Sequence, residues 1–201
     1  MEASFLTRHP GLRDALGFVG FVVLVLVGTL FINSFVFRSF NVVGQSMENT
    51  LHTGDRLIIN RLPVTMANIQ NKSYVPERGQ IIVFKNPRFT MGNKDEFIIK
   101  RVIAFPGEKV TVRSGKLTVY NNAHPEGFNP DELPSGGTPG SYSSGDSTLI
   151  VPDNELYVAG DHREGDYSWD SRSGLGTIPF YDIVGPASFR IWPINQLGGV
   201  K

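Results

Sequence analysis

Two residues of this sequence, Ser46 and Lys100, are of the types that together could carry out acyl transfer. Ser46 lies in Asn41-Val42-Val43-Gly44-Gln45-Ser46-Met47-Glu48-Asn49-Thr50-Leu51, just past a membrane-length apolar run. Lys100 lies in Glu96-Phe97-Ile98-Ile99-Lys100-Arg101-Val102-Ile103-Ala104-Phe105. A serine hydroxyl is unreactive at its own pKa and becomes a nucleophile only when a base takes its proton. A neutral lysine amine can take that proton and later return it to the leaving amine. For this the lysine pKa must fall from about 10.4 toward 7, at a cost of about 4 kcal/mol, and apolar burial is the effect that supplies it. Strand alternation puts Lys100 on the side of Ile98 and Val102, so its amine is flanked by hydrocarbon. The plainer reading is that Ser46 caps a turn and Lys100 leaves its strand to pair with a carboxylate. Patterning by itself leaves both open.

Other constellations are weaker. His162 beside Asp161 offers the residue types of a Ser-His-Asp site, but such a site is defined by geometry, and chain neighbours seldom point at one spot. His52 reads as a turn residue. Metal binding by His162, Asp161, Asp166 and Asp170 lacks both an H-E-x-x-H and a D-x-D-x-D-G pattern, so no metal is expected. The polar stretch around them suits an ion-pair and hydrogen-bond network that holds a loop in shape.

The elements that must position these residues are mostly short strands. The chain has 201 residues, room for one ordinary domain and an anchor. It contains 22 glycines and 13 prolines, which punctuate short β-branched runs and favour strands and turns over a helical bundle. With no cysteine, disulfides and thiolate chemistry are excluded. Lys+Arg and Asp+Glu are equal at 19 each, and no basic stripe suits a phosphate backbone, so nucleic acid is not an expected partner.

Residues 1–14 form a short flank, and the 23 residues from Ala15 to Phe37 carry no charge, enough to cross a bilayer as a helix. A cleavable signal sequence has a shorter apolar stretch and an A-x-A-like end, which Asn33-Ser34-Phe35-Val36-Phe37 lacks. Arg8 and Arg13 precede the run and Arg38 follows it, so the Lys/Arg rule favours an inside N-terminus.

Residues 38–201 read as the β-rich domain. Phe40–Val43 is expected as a strand delivering Ser46, and Arg56–Leu62 as the next. Met66–Arg78 is aperiodic, and Gln80–Lys85 is a central strand stopped by Asn86-Pro87. Glu96–Phe105 is a long strand ending at Pro106-Gly107. Lys109–Arg113 and Lys116–Tyr120 flank Ser114-Gly115 with the spacing of a hairpin. Asn121–Ser147 is a surface excursion, followed by strands at Leu149–Val151, Glu155–Ala159 and Ile183–Trp192.

Taken in order, these blocks resemble the bacterial type I signal peptidases, membrane-anchored Ser-Lys endopeptidases. Their nucleophile block G-x-S-M-x-P-T-L is similar to Gly44–Leu51, with Asn49 in place of proline, and Gly54-Asp55 echoes the block after it. The lysine block, R-G-D-I-V-V-F and later I-K-R-V-I-G-x-P-G-D, resembles Arg78–Phe84 and Ile99–Glu108. The last block, G-D-N-R-x-x-S-x-D-S-R, resembles Gly160-Asp161-His162-Arg163, then four residues instead of two, then Ser168-Trp169-Asp170-Ser171-Arg172.

The resemblance implies that Ser46 is the nucleophile and Lys100 the general base. It also implies that Ser168 hydrogen-bonds the lysine amine, that Asp170 pairs with Arg172, and that Arg101 pairs with Asp161. Val42, Met47, Leu51 and Ile99 would line a shallow pocket for small side chains, and the Ser46 backbone N–H would serve the oxyanion hole. Gly44 stands where some members carry a serine hydroxyl, so a second oxyanion donor must come from elsewhere.

The expectation is an all-β protein: an N-terminal transmembrane helix followed by an antiparallel catalytic domain. It would remove signal peptides from exported preproteins on the outer side of the cell membrane, with the lipid bilayer as its other partner and no cofactor. A catalytically silent, membrane-tethered β-domain that binds extended peptides in the same groove is the alternative. A self-cleaving Ser-Lys protease of the regulatory-repressor type is a second, less favoured by the anchor.

Overall fold

The computed structural model describes residues 9–92, 95–132 and 139–200. Helix α1 spans Pro10–Phe31 and continues as a π-helical turn over Ile32–Val36. Pro10 suits the first turn, where a missing N–H costs nothing. The stretch Gly11–Val36 is long and apolar enough to cross a membrane, with mean hydropathy 2.7 and none of its most apolar window buried by protein. Helix therefore begins before Ala15, while Phe37 already belongs to the first strand.

The strands follow as β1 (Phe37–Asn41), β2 (Arg56–Asn60), β3 (Ile81–Lys85), β4 (Phe97–Ala104), β5 (Lys109–Arg113), β6 (Lys116–Asn121) and β7 (His124–Phe128). After them come β8 (Ser147–Ile150), β9 (Glu155–Ala159), β10 (Ile178–Pro179), β11 (Ile183–Trp192) and β12 (Gly198–Gly199). The larger sheet has the order β1-β2-β11-β3-β4-β9-β10, with β12 on β11, and the smaller has the order β7-β6-β5-β8. The pairings described are antiparallel. The all-β reading with one N-terminal apolar helix therefore holds.

Local sequence accounts for the elements that were easiest to read. Ser114 and Gly115 both take positive φ, 50° and 81°, which twists the turn to match the flanking strands. β3 is buried on both faces from Ile81 to Phe84, as its continuous apolar run requires of a central strand. In β4 the alternation is also kept: Phe97 and Ile99 pack on one core cluster, Ile98 and Val102 on another.

Two stretches differ from expectation. The β2 strand ends at Asn60, whose side chain accepts the Leu62 N–H at 3.0 Å, and helix α2 (Leu62–Ile69) starts there with Pro63 in its first turn. An eight-residue helix is too short to announce itself by periodicity. The excursion from Asn121 to Ser147 is in part structured, since β7 pairs with β6 and Pro130–Glu132 forms a 3-10 turn; residues 133–138 lie outside the described set.

Candidate active site

Ser46 sits at the top of a loop closed at its base by β-type hydrogen bonds, Val42 N–H to the Asp55 carbonyl (2.8 Å) and Gly54 N–H to the Val42 carbonyl (3.0 Å). Met47 and Leu51 turn inward and are buried at 1% and 0% exposure beside Leu57, Ile59 and Ile81. Burying each contributes about 2 kcal/mol, so they anchor the loop from beneath. The expected pocket roles of Met47 and Leu51 are therefore corrected: both belong to the core and neither lines the cleft.

Lys100 lies in β4 opposite Ile82 of β3. Its Nζ donates to Ser46 Oγ at 2.5 Å, and the lysine is 4% exposed. Burial pushes its pKa down to about 8; Asp170 and Asp161 pull the other way, Arg172 adds to the depression and Asp95 opposes it. Once the amine loses its proton, the same contact reverses and the hydroxyl donates to nitrogen. Among the described residues the Ser46 N–H has no acceptor, so it is available to a developing oxyanion.

The chain from Gly160 to Arg172 backs this pair. Asp161 accepts two bonds from Arg101, Nε at 2.8 Å and Nη2 at 2.6 Å, and a third from Thr50 Oγ1 at 2.5 Å. Arg101 and Asp161 have no exposed side-chain area, so each depends on the other for its charge. His162 stacks on Tyr167 at 4.2 Å, with its N–H donating to the Ser46 carbonyl at 3.1 Å. With Asp161 committed to Arg101, no Ser-His-Asp arrangement forms.

Asp170 accepts from Arg172 Nη2 (2.8 Å), Gly160 N–H (2.9 Å) and Ser168 Oγ (2.6 Å). Burial by itself would raise the Asp170 carboxyl, but Arg172, Ser168 and the Gly160 N–H outweigh it and hold the pKa below the usual carboxylate range. The Ser168 hydroxyl thus donates to Asp170, where the resemblance implied a bond to the Lys100 amine. An ionised carboxylate is the stronger acceptor and stands two residues away. The Asp170–Arg172 and Arg101–Asp161 pairs are present as expected.

Several contributors stood in the matched blocks or near them with no role read for them in the sequence. Gly160 is one: a Cβ there would fall 2.2 Å from both Ser168 Oγ and the Ser46 carbonyl oxygen. Arg163, fully buried, donates to the Gly160 carbonyl at 2.5 Å and is gripped by Asp131 of the excursion at 2.8 and 3.0 Å. A cleft of about 460 Å³ opens in front of Ser46. Val42, Val43 and Ile99 line it, with Tyr167 and Trp169 at its rim.

The family model described as "Signal peptidase, peptidase S26" matches residues 15–192. The chain belongs to the signal peptidase family S26. The peptidase is 28% identical over 181 residues to signal peptidase I of Bacillus amyloliquefaciens, covering 90% of this chain and 89% of that protein. With signal peptidase IB of Staphylococcus aureus (strain Mu50 / ATCC 700699) it shares 30% identity over 195 residues, covering 89% and 87%. A crystal structure of a signal peptidase I from Enterococcus faecalis V583 is 27% identical, with TM-score 0.40, over 57% of this chain and 97% of that one. As a member of the family, the peptidase is a serine endopeptidase that removes signal peptides.

Gly160 yields a direct prediction. In Gly160→Ala the added methyl must displace Ser168 or the Ser46 carbonyl, so kcat/KM falls about tenfold or more while KM changes little. Steady-state kinetics on the purified variant check this; unaltered kinetics would show that the backbone yields without moving the nucleophile.

Proposed function

We propose that Ser46 and Lys100 are the nucleophile and general base with which this signal peptidase cleaves preproteins at the membrane surface. The observation that carries the assignment is the 2.5 Å contact between Ser46 Oγ and a buried lysine whose pKa is pushed down to about 8. At pH 7 roughly a tenth of such a lysine is neutral, against less than a thousandth of an ordinary one.

The geometry supports a substrate held as an added strand. β9 pairs with β4 only from Arg101 onward, so the edge of β4 from Phe97 to Lys100 that faces away from β3 has no strand partner among the described residues. Residues 40–46 form the opposite wall. An extended peptide between these edges gains main-chain hydrogen bonds, and Val42 and Ile99 leave room for small side chains before the scissile bond.

Ser46 Oγ then attacks the carbonyl carbon while its proton passes to Lys100 Nζ, and the oxyanion faces the Ser46 N–H. Lys100 returns the proton to the leaving amine as the C–N bond breaks. Water, deprotonated by the same amine, hydrolyses the acyl-enzyme. In this reading Ser168, Asp170 and Arg172 hold the wall behind the lysine, and Arg101 with Asp161 ties that wall to the nucleophile loop through Thr50. No residue in the sequence calls for a cofactor.

In the same proposal the helical stretch Gly11–Val36 provides a single crossing of the lipid bilayer and the chain from β1 onward forms the extracytoplasmic domain. The exposed apolar surface of α1 supports burial in lipid, and Arg8 and Arg13, on the N-terminal side of the uncharged run, support an inside N-terminus. The test is to incubate the detergent-solubilised peptidase with a preprotein and sequence the new N-terminus. A single cut after small residues is expected. An intact preprotein, or scattered cuts insensitive to Ser46→Ala, would overturn the proposal.

A further inference from the structure

We infer that Arg190, on β11, is a positioning residue for the nucleophile: with Asp55 it pins the return leg of the Ser46 loop and so sets where the Ser46 hydroxyl stands against the Lys100 amine. This rests on the Ser-Lys reading above. It adds a determinant of turnover that touches neither member of the pair.

Residues 45–51 form one hydrogen-bonded turn. The Glu48 N–H donates to the Gln45 carbonyl (3.1 Å), and the N–H groups of Thr50 and Leu51 both donate to the Met47 carbonyl (2.9 and 2.8 Å). Thr50, near the end of this turn, is held twice. Its hydroxyl donates to Asp161, which Arg101 also holds, and its carbonyl accepts from Arg190 Nη2 at 2.7 Å. Nη1 of the same guanidinium lies 3.2 Å from Asp55 Oδ2 and donates to Gln196. Asp55 Oδ2 in turn accepts the His52 N–H at 3.0 Å. Gly54-Asp55, which follows the nucleophile block, therefore closes the base of the loop through its backbone and orients Arg190 through its carboxylate.

The two holds on Thr50 come from different parts of the fold. Arg101 and Asp161 belong to the wall behind Lys100, whereas β11 stands between β2, into which the loop runs, and β3, which pairs with β4. Arg190 is itself fixed on both edges, paired with Leu57 of β2 and Gly198 of β12. Its side chain is 15% exposed and that of Asp55 4%, so water screens the pair little, and a planar guanidinium shared between a carboxylate and a carbonyl has little freedom to move. Without it the turn keeps only its hold on Asp161, and Ser46 drifts from its line to Lys100. A displacement of about 1 Å at a reacting group can cost about a hundredfold in rate. Thr50, Asp55 and Gln196 do not line the cleft, so the loss falls on kcat and leaves KM in place.

The experiment uses the full-length, detergent-solubilised peptidase with a signal-peptide substrate, and measures kcat, KM and denaturant stability for wild type and three variants. Arg190→Ala empties the site, Arg190→Met fills it without donors, and Val112→Ala opens a cavity in the smaller sheet as a stability control. Both Arg190 variants are expected to lose about tenfold in kcat, with KM within about twofold of wild type. Ethylguanidine, entering the space left by the side chain, restores several-fold of that loss in Arg190→Ala and none in Arg190→Met. Val112→Ala loses stability and keeps wild-type kcat. A folded Arg190→Met with wild-type kcat would overturn the pin, as would a loss confined to KM, a loss that Val112→Ala shares, or one in Arg190→Ala that ethylguanidine leaves untouched. Wild type that fails to cleave, or Ser46→Ala that still cleaves, would instead overturn the Ser-Lys assignment on which the inference rests.

Discussion

Ser46→Ala and Lys100→Ala each lower kcat/KM by about 10⁴-fold or more, and the double variant loses little beyond either single one. Nucleophile and base act as a unit: without the hydroxyl there is nothing to deprotonate, and without the amine nothing accepts the proton. The residues behind them remain in place, because Ser46 is partly exposed at a loop top held by Met47 and Leu51 beneath. Both variants therefore keep their fold and still bind signal peptide. The check pairs single-turnover kinetics with a binding titration of a fluorescent signal peptide. A Lys100→Ala protein with near-wild-type turnover would end the assignment of the base.

Activity falls about tenfold per pH unit below pH 8 and levels off above it, so that pH 6 leaves about a hundredth of the plateau kcat/KM. The limb reports the free enzyme and the ionisation of Lys100, whose burial lowers its pKa against the opposing pull of the nearby Asp170 and Asp161 charges. Stability carries the complementary signature. Below pH 8 Lys100 is protonated in folded and unfolded chains alike, and the whole cost of burying its charge, about 3 kcal/mol at most, falls on the folded state. Between about 8 and 10.5 the folded protein releases the proton before the unfolded chain does, so wild-type stability rises with pH in that window. Above it both forms are neutral and the cost is gone. Lys100→Met has no such cost, so it matches or exceeds wild-type stability below pH 8 and loses that advantage by pH 10.5. Denaturant unfolding of both proteins across this range, beside a pH–rate profile, makes the comparison. A Lys100→Met protein markedly less stable at pH 6, with wild-type activity appearing only above pH 10, would identify an ordinary structural ion pair.

Much of the fold was legible because its cause is local. The uncharged run after Asp14 reads as one long apolar helix, and that helix forms, with none of its most apolar window buried by protein. The apolar stretch Ile81–Phe84 demanded a central strand, and Ser114-Gly115 demanded a tight hairpin, because backbone preference and pleat periodicity act within a few residues. The types and order of Ser46 and Lys100 were readable for the same reason, as were the partners of Asp170 and Asp161 through the resemblance.

What only the tertiary structure decided depends on contacts between segments far apart in the chain. Whether Met47 and Leu51 face substrate or core turns on how the loop sits over β2 and β3, and a single strand's pattern says nothing of that. Ser168 donates to Asp170, a charged acceptor at 2.6 Å, a choice made by the path of the Gly160–Arg172 loop. Asp131 meets Arg163 across 32 positions, with no motif to announce it. Helix α2 is too short for periodicity, yet its Thr65 hydroxyl donates to the Phe35 carbonyl at the end of the long apolar helix. The 2.5 Å between Ser46 and Lys100 is of the same kind: residue types set what the pair can do, and the strand order of the larger sheet, with the β1–β2 loop folded over β4, decides that they meet.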